Sequence, residues 1–451
     1  MINLLKKIRS KFSSFQIILL GFAGVILLGA LLLMLPISSA EEQVTPFPDA
    51  LFTSTSAVCV TGLVVRDTAT YWSGFGQLVI LILIQIGGMG VITVAAAVAI
   101  ISGKKIGLMQ RDTMQESLSA PSVGGIVRLT TFVLRMILRI ELIGAVLLAT
   151  VFIPLYGAKG IWMAIFHSIS AFCNAGFDLM GYSGAPFSSL TTLGDKPFIA
   201  EATVDTVIML LIIIGGIGFL TWEDIAANKF HFRKYRMQSK VIIVVSAILI
   251  VFPAAFFFLT EFDELPAGER VLASLFQSVT TRTAGFNSVD LTQMSDASQL
   301  LMIPLMLIGG SPGSTAGGLK TTTIAVLVAS MISVFRKRDN AQLHGRRIAD
   351  ETVKHAAVIF MIYLSLFFFG SLTICAVEKI DLLPCLFETA SAVGTVGLSL
   401  GLTTTLGPVS RAVLILLMFF GRVGCLTLIY AALGKKTKNG SRLPLDKITV
   451  G

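Results

Sequence analysis

The stretch Leu386–Leu398, LFETASAVGTVGL, decides the reading of this 451-residue chain. An aliphatic–Phe pair leads into small Ser, Thr and Ala residues, and the stretch ends on Gly followed by Leu. The same pattern stands at Leu51–Leu63, LFTSTSAVCVTGL, at Ile165–Phe177, IFHSISAFCNAGF, and at Leu275–Phe286, LFQSVTTRTAGF. The third copy is one residue shorter between Phe and Gly. The terminal glycines Gly62, Gly176, Gly285 and Gly397 recur about every 110 residues, the signature of an internal repeat.

Outward from these stretches the chain is strongly apolar. It is 54% hydrophobic and only 14% charged, with a mean hydropathy of +0.84. Soluble domains carry about 25% charged residues, so this composition describes a membrane protein. Apolar runs of about 20 residues, the length that crosses a bilayer, are drawn at 17–37, 71–101, 131–155, 206–222, 241–260, 300–335, 356–377 and 412–433. The first run is longer than the core of a secretory signal, and more spans follow, so it reads as an uncleaved helix rather than a signal peptide ending near Ala40. The spans group into repeats at residues 12–102, 126–224, 237–335 and 353–433, with tails at 1–11 and 434–451. The fold class expected is an all-α integral membrane protein of four pseudo-symmetric helix–pore-loop–helix repeats around a single central pore.

Charge orients this arrangement. Lys6, Lys7, Arg233, Lys234, Arg346, Arg347, Lys435 and Lys436 belong to basic clusters on alternate connections, which hold most of the 35 Lys and Arg. The positive-inside rule puts that side, and both termini, in the cytoplasm of a multi-pass protein of the cell membrane. The opposite connections are rich in Asp and Glu and form an anionic rim that concentrates cations. The net charge of +9 is therefore a topology signal and implies no nucleic-acid partner. The five scattered cysteines suggest neither a disulfide framework nor a zinc site, and Cys59 and Cys173 read as packing residues.

Each quoted stretch is too short to cross a bilayer as helix and ends in residues suited to extended backbone. Irregular backbone at membrane depth survives only where protein buries it or a watery path runs beside it. Glycine lets successive carbonyls face one way and lets four backbones crowd an axis. A ring of carbonyls can replace the hydration shell of a monovalent cation, and the short helices aim negative dipole ends toward it. The expected cation ligands are carbonyls of Val60, Thr61, Asn174, Ala175, Thr283, Ala284, Thr395 and Val396, with Gly62, Gly176, Gly285 and Gly397 setting the backbone. Arg282, inside the third stretch, would repel a cation if it faced the axis. It is expected to point behind the filter and brace carbonyls or a carboxylate such as Glu388.

Residues 309–320 interrupt the sixth apolar run. Gly309, Gly310, Ser311, Pro312, Gly313, Ser314, Thr315, Ala316, Gly317, Gly318, Leu319 and Lys320 cannot hold a regular helix. The run lacks the Gly-Lys-Ser/Thr order of a phosphate loop and sits between membrane helices. It is expected to line the path below the filter as a gate. Lys320 and Arg422 are cations within the spans that need partners, and carbonyls of the broken helix are the expected ones for Arg422. Gly87–Gly90 and Gly215–Gly218, in two other inner helices, read as close-packing sites in preference to hinges.

On the four filter stretches, the chain resembles the Trk/Ktr/HKT superfamily of K+ transporters along its whole length, most nearly the membrane subunit of the bacterial Ktr type. The resemblance implies uptake of K+ with K+ held at filter carbonyls, a homodimer with one pore per subunit, and a cytosolic ring of nucleotide-binding regulatory subunits of the KtrA/KtrC kind that carries ATP or ADP. It implies no cofactor in this chain, and it implicates the loop and Arg422 in gating. Na+ dependence is left open. A Na+-coupled carrier for another small solute is the rival reading, set against inverted two-part repeats that this chain does not show. An enzyme is disfavoured because the spans hold no nucleophile–base pair or metal cluster.

Overall fold

The computed structural model describes residues 13–101, 111, 113–116, 125–182, 186–193, 196–229 and 231–424. The tails at 1–11 and 434–451, and residues 425–433 of the fourth repeat with Cys425, lie outside these residues. The described chain is almost wholly helical. Repeat 1 comprises α1 (Ser14–Leu33), α2 (Phe47–Cys59), α3 (Gly74–Met89) and α4 (Val91–Ile101). Repeat 2 comprises α5 (Ile126–Tyr156), α6 (Lys159–Phe172), α7 (Phe198–Gly216) and α8 (Phe219–Asn228). Repeat 3 comprises α9 (Met237–Thr260), α10 (Ala267–Thr280), α11 (Asp296–Leu307) and α12 (Thr321–Phe335). After a two-residue-stranded hairpin, β1 (Gln342–Leu343) with β2 (Arg346–Arg347), repeat 4 comprises α13 (Asp350–Glu378), α14 (Leu382–Gly394) and α15 (Pro408–Val423).

In every repeat a long outer helix is followed by a short one, an extended segment and an inner helix. The outer helices α1, α5, α9 and α13 turn apolar side chains such as Leu28, Leu142, Phe252 and Phe369 outward. Such a surface suits hydrocarbon rather than water. The short helices α2, α6, α10 and α14 are buried by their neighbours, which is why they tolerate Ser and Thr at membrane depth. Their hydroxyls reach the outer helices at matching places. Ser54 donates to the Ile26 carbonyl at 2.7 Å, Ser168 to that of Glu141 at 2.6 Å and Ser278 to that of Ile250 at 2.7 Å. In repeat 4 Thr389 lies within hydrogen-bond distance of Ser371 on α13.

Five of the described helices are long and apolar enough to cross a membrane, and there are six if α3 with residues 91–97 of α4, a pair bent by 97°, counts as one span. The run at 300–335 is two helices separated by the loop. The inner-helix glycines depart from the packing expectation, because they both pack and bend. A Cβ on Gly87 would collide with the Val58 carbonyl, one on Gly215 with that of Phe172 and one on Gly421 with that of Val393. Three residues later Gly90, Gly218 and Gly424 take φ of +83°, +91° and +86°; Gly90 and Gly424 cap the ends of α3 and α15, and Gly218 caps the start of α8. The first glycine seats the inner helix on the short helix, and the second marks a break, bent by 97° between α3 and α4.

Replacing Gly87 by Ala is expected to lower the melting temperature in detergent, because overpacking costs about 1–3 kcal/mol. Gly24→Ala, on a surface with nothing within 4 Å of the added Cβ, should leave it unchanged or raise it slightly. Equal effects of the two substitutions would rule out the packing role.

Candidate ion pathway

The short helices end alike. In three repeats a Schellman-type closure stops the helix: Thr61 N–H bonds to the Ser56 carbonyl, Ala175 to that of Ser170 and Val396 to that of Ser391, each at 2.8 Å. In repeat 3 the bond spans one residue fewer, from Ala284 N–H to the Thr280 carbonyl at 3.0 Å. This absorbs the missing residue. The closing residue is left-handed in all four: Val60 at φ +57°, Asn174 at +59°, Thr283 at +62° and Thr395 at +53°. Glycine usually occupies such a position, yet here three of the four are β-branched. Left-handed backbone costs such residues on the order of 1–2 kcal/mol each, a strain that persists only where the surroundings impose it.

Two residues on, each chain turns left-handed again at its glycine. Gly62, Gly176, Gly285 and Gly397 have φ of +94°, +67°, +79° and +95°. These glycines meet around an axis. A Cβ on Gly62 would lie 2.6 Å from the Ala175 carbonyl oxygen, and one on Gly176 would lie 2.7 Å from that of Ala284. A Cβ on Gly285 would collide with the Val396 carbonyl, and one on Gly397 with that of Thr61. The contacts run from repeat 1 to 2, 3, 4 and back to 1, closing a ring of backbone. No side chain larger than hydrogen fits at any of its four glycines.

The extended segments are tied back to their own short helices. Ser56 accepts from Gly62 N–H at 3.1 Å and Ser391 from Gly397 N–H at 3.0 Å, whereas Ser170 donates to the Phe177 carbonyl at 2.6 Å and Thr280 to that of Phe286 at 2.7 Å. Repeats 1 and 4 thus use one hydrogen-bond sense and repeats 2 and 3 the other.

Supports unnoticed in the sequence stand one residue after the Phe of each aliphatic–Phe pair, where Thr53, His167, Gln277 and Glu388 are all buried. His167 Nε2 accepts from Leu179 N–H at 3.3 Å, and Glu388 accepts from Ser399 at 2.9 Å and from Thr403. His167 thus holds backbone, and Glu388 holds side-chain hydroxyls, of the segment that follows each short helix. A polar residue at this place in all four copies was the available signal. Arg282 is buried behind the filter, but it pairs with Ser246 of α9 at 2.9 Å and not with Glu388, whose oxygens are already taken by its own repeat.

On the acidic face the four glycines floor a cavity of about 490 Å3, whose wall includes Asp67, Asp178 and Asp290. Asp67 ties repeat 1 to repeat 2, accepting from Thr70 N–H at 2.8 Å and from Phe187 N–H at 2.9 Å. Burial, reinforced by the Asp67 charge, pushes the Asp178 carboxyl up to about 6.

Below the filter the 309–320 loop closes on itself. Gly309 N–H bonds to the Leu319 carbonyl at 2.9 Å and Leu319 N–H to that of Leu307 at 3.2 Å, while Lys320 donates to the Ala316 and Gly317 carbonyls at 2.8 and 3.3 Å. Ser314 donates to the Ser311 carbonyl. The loop docks on the break in repeat 2, with Ser311 N–H on the Gly216 carbonyl at 3.0 Å and Phe219 N–H on that of Gly313 at 2.7 Å. Its upper side touches the filter. A Cβ on Gly317 would collide with Thr395, one on Gly309 would lie 3.0 Å from Thr283 Cγ2, and one on Gly318 2.9 Å from the Gly394 carbonyl. Gly310 has no more room, since a Cβ there would collide with Ala316.

Arg422 turns inward from the last turn of α15. It donates to the Thr315 carbonyl of the loop and to the Gly87 and Gly88 carbonyls of α3, the latter two at 2.5 and 3.1 Å. The loop partner is of the kind expected, and the two α3 carbonyls are additional. One guanidinium therefore joins repeats 1, 3 and 4, as its fixed fork of donors permits. A second cavity, of about 230 Å3, lies on the far side of the loop beside Gly88, Gly313, Lys320, Tyr363 and Arg422. The four-glycine ring lines the first cavity and the 309–320 loop lines the second.

Comparison with known proteins gives the family. The family model for TrkH, described as a cation transport protein, matches residues 12–439. The potassium/sodium uptake protein NtpJ of Enterococcus hirae is 40% identical, with 99% of each chain covered. The Ktr system potassium uptake protein B of Bacillus subtilis is 37% identical, covering 98% of this chain and 97% of its own. The crystal structure of the potassium transporter TrkH from Vibrio parahaemolyticus superposes with a TM-score of 0.70 at 20% identity, over 93% of this chain and 84% of the other, and supports the fold. Its relatives are transporters rather than enzymes, and with the family model matched along nearly its whole length this chain belongs to the TrkH family of cation transport proteins.

Proposed function

We propose that the chain takes up K+ across the cell membrane through the ring formed at Val60–Gly62, Asn174–Gly176, Thr283–Gly285 and Thr395–Gly397. The observation that carries this reading is the closed ring of left-handed turns. Two such turns per stretch, two positions apart, suit consecutive carbonyls to one side, and four stretches of the chain bring them to one axis. Oxygen-only, uncharged ligands suit a monovalent cation, and a bare divalent ion would need carboxylates close by. The names of the Enterococcus and Bacillus relatives specify K+, with Na+ added for the former.

The loop at 309–320 is the gate in this reading, held shut by Arg422. Its basic side faces the cytoplasm, where a homodimer seats on a nucleotide-binding regulatory ring that carries ATP or ADP. Binding there supplies the free energy to withdraw the loop. The acidic cavity gathers K+ outside.

Gly62→Ser and Gly397→Ser each push against a neighbouring carbonyl of the ring. Both should abolish preference for K+ over Na+ in proteoliposome flux, and retention of selectivity in both variants would defeat the filter assignment. Removing the guanidinium in Arg422→Ala should raise K+ flux measured without any regulatory partner by about tenfold, given about 1.5–3 kcal/mol for hydrogen bonds to a charged group; unchanged flux means that Arg422 does not hold the gate. Because Asp178 becomes neutral as external pH falls through about 6, uptake should decline across that range, and Asp178→Asn should flatten the profile at the lower level. Repeating the flux assay with and without Na+ decides whether transport is coupled to it.

A further inference from the structure

Asn174 differs from its three counterparts in the filter. At this first left-handed position the other repeats have Val60, Thr283 and Thr395, and the buried hydroxyls of Thr283 and Thr395 have no protein partner among the described residues. Asn174 is held at both ends of its amide. Its Nδ2 donates to the Ile212 carbonyl of α7 and to the Arg282 carbonyl of the third filter, each at 3.4 Å. Its Oδ1 accepts from the hydroxyl of Thr315 at 2.9 Å.

Thr315 belongs to the loop, and every polar group it carries is engaged by another repeat. Its N–H bonds to the Gly215 carbonyl at 3.3 Å, its carbonyl accepts from Arg422, and its hydroxyl is shared between Asn174 and the Phe172 carbonyl at 3.1 Å. Both side chains are completely buried. Withdrawal of the loop therefore cannot leave the filter unaltered. It removes the partner of Asn174 Oδ1, and this side chain spans the junction between the second and third filters. A buried amide oxygen that loses its donor seeks another, so the Asn174 amide and the Arg282 carbonyl it steadies are free to adjust.

We propose that the Thr315–Asn174 hydrogen bond couples gate to filter, so that the position of the loop sets the affinity of the inner filter for the permeating cation. By thermodynamic reciprocity, occupancy of the filter by K+ biases the loop by the same factor. The side chains of Asn174 and Thr315 are positioning groups here, acting on carbonyls rather than as ligands themselves. This inference rests on the reading of the loop as a gate and adds a link that the gate alone does not require.

The test is K+ and Na+ flux in proteoliposomes containing the full chain, with folding checked by thermal melting in detergent. Thr315→Val removes the hydroxyl at nearly constant volume, and Thr315→Ser restores it. Loss of one hydrogen bond is expected to shift the half-saturating K+ concentration by about threefold to tenfold in Thr315→Val, with Thr315→Ser close to the parent value. Asn174→Ala should shift it as well, and the double variant should shift it no further than Asn174→Ala alone, because both remove the same bond. If Thr315→Val does not fold, Thr315→Ala is read in the same way. The proposal is overturned if the Thr315 variant changes only the maximal rate, leaving half-saturation and the K+/Na+ ratio at parent values, or if the two shifts multiply in the double variant. A rise in flux in Arg422→Ala alongside either result would show that the gate stands and the link does not.

Discussion

The left-handed turn that closes each short helix is the constraint on which the rest of the molecule depends. Val60, Thr283 and Thr395 adopt a left-handed backbone that β-branched residues resist, whereas Asn174 at the same place tolerates it. The strain is held by helix-end hydrogen bonds, by the Ser and Thr hydroxyls of the short helices and by inner-helix glycines pressed against them. Relaxing a turn would rotate the adjacent peptide and move its carbonyl. The short helices must therefore be clamped on all sides, which explains why a membrane protein buries so much Ser and Thr.

The same crowding explains where the chain uses glycine. In the filter ring and at the three inner-helix seats a Cβ would meet a carbonyl of another element. At Gly90, Gly218 and Gly424 a positive φ is needed instead. The loop of repeat 3 replaces a single glycine break by a run of them, and it packs against the Thr283 and Thr395 turns.

Much of this was legible in the chain. The four quoted stretches, their common position between apolar runs and the glycine-rich interruption are local patterns that survive without knowledge of contacts. The shorter third copy was visible too, although its accommodation by a tighter helix end was not. Arg282 shows the limit of such reading: burial behind the filter followed from charge, but the choice of Ser246 over Glu388 depended on Ser399 and Thr403 having already occupied that carboxylate. The column of Thr53, His167, Gln277 and Glu388 was present in the alignment of repeats and passed unnoticed because its chemistry differs in every copy.

By itself the sequence determined the membrane setting, the fourfold recurrence of the quoted stretches and the glycine-rich interruption at 309–320, because hydrophobic run length, repeat spacing and glycine content act over short distances along the chain. Only the tertiary structure decided that the filter ring closes from repeat 4 onto repeat 1, that the inner-helix glycines bend as well as pack, that Arg422 reaches both Thr315 and α3, and that Thr315 holds Asn174. Apart from the glycine seats, those outcomes join residues 100 or more positions apart whose pairing has no periodic trace. The physical reason is competition for buried hydrogen-bond partners, which is settled among all groups present at one place and cannot be assigned one segment at a time.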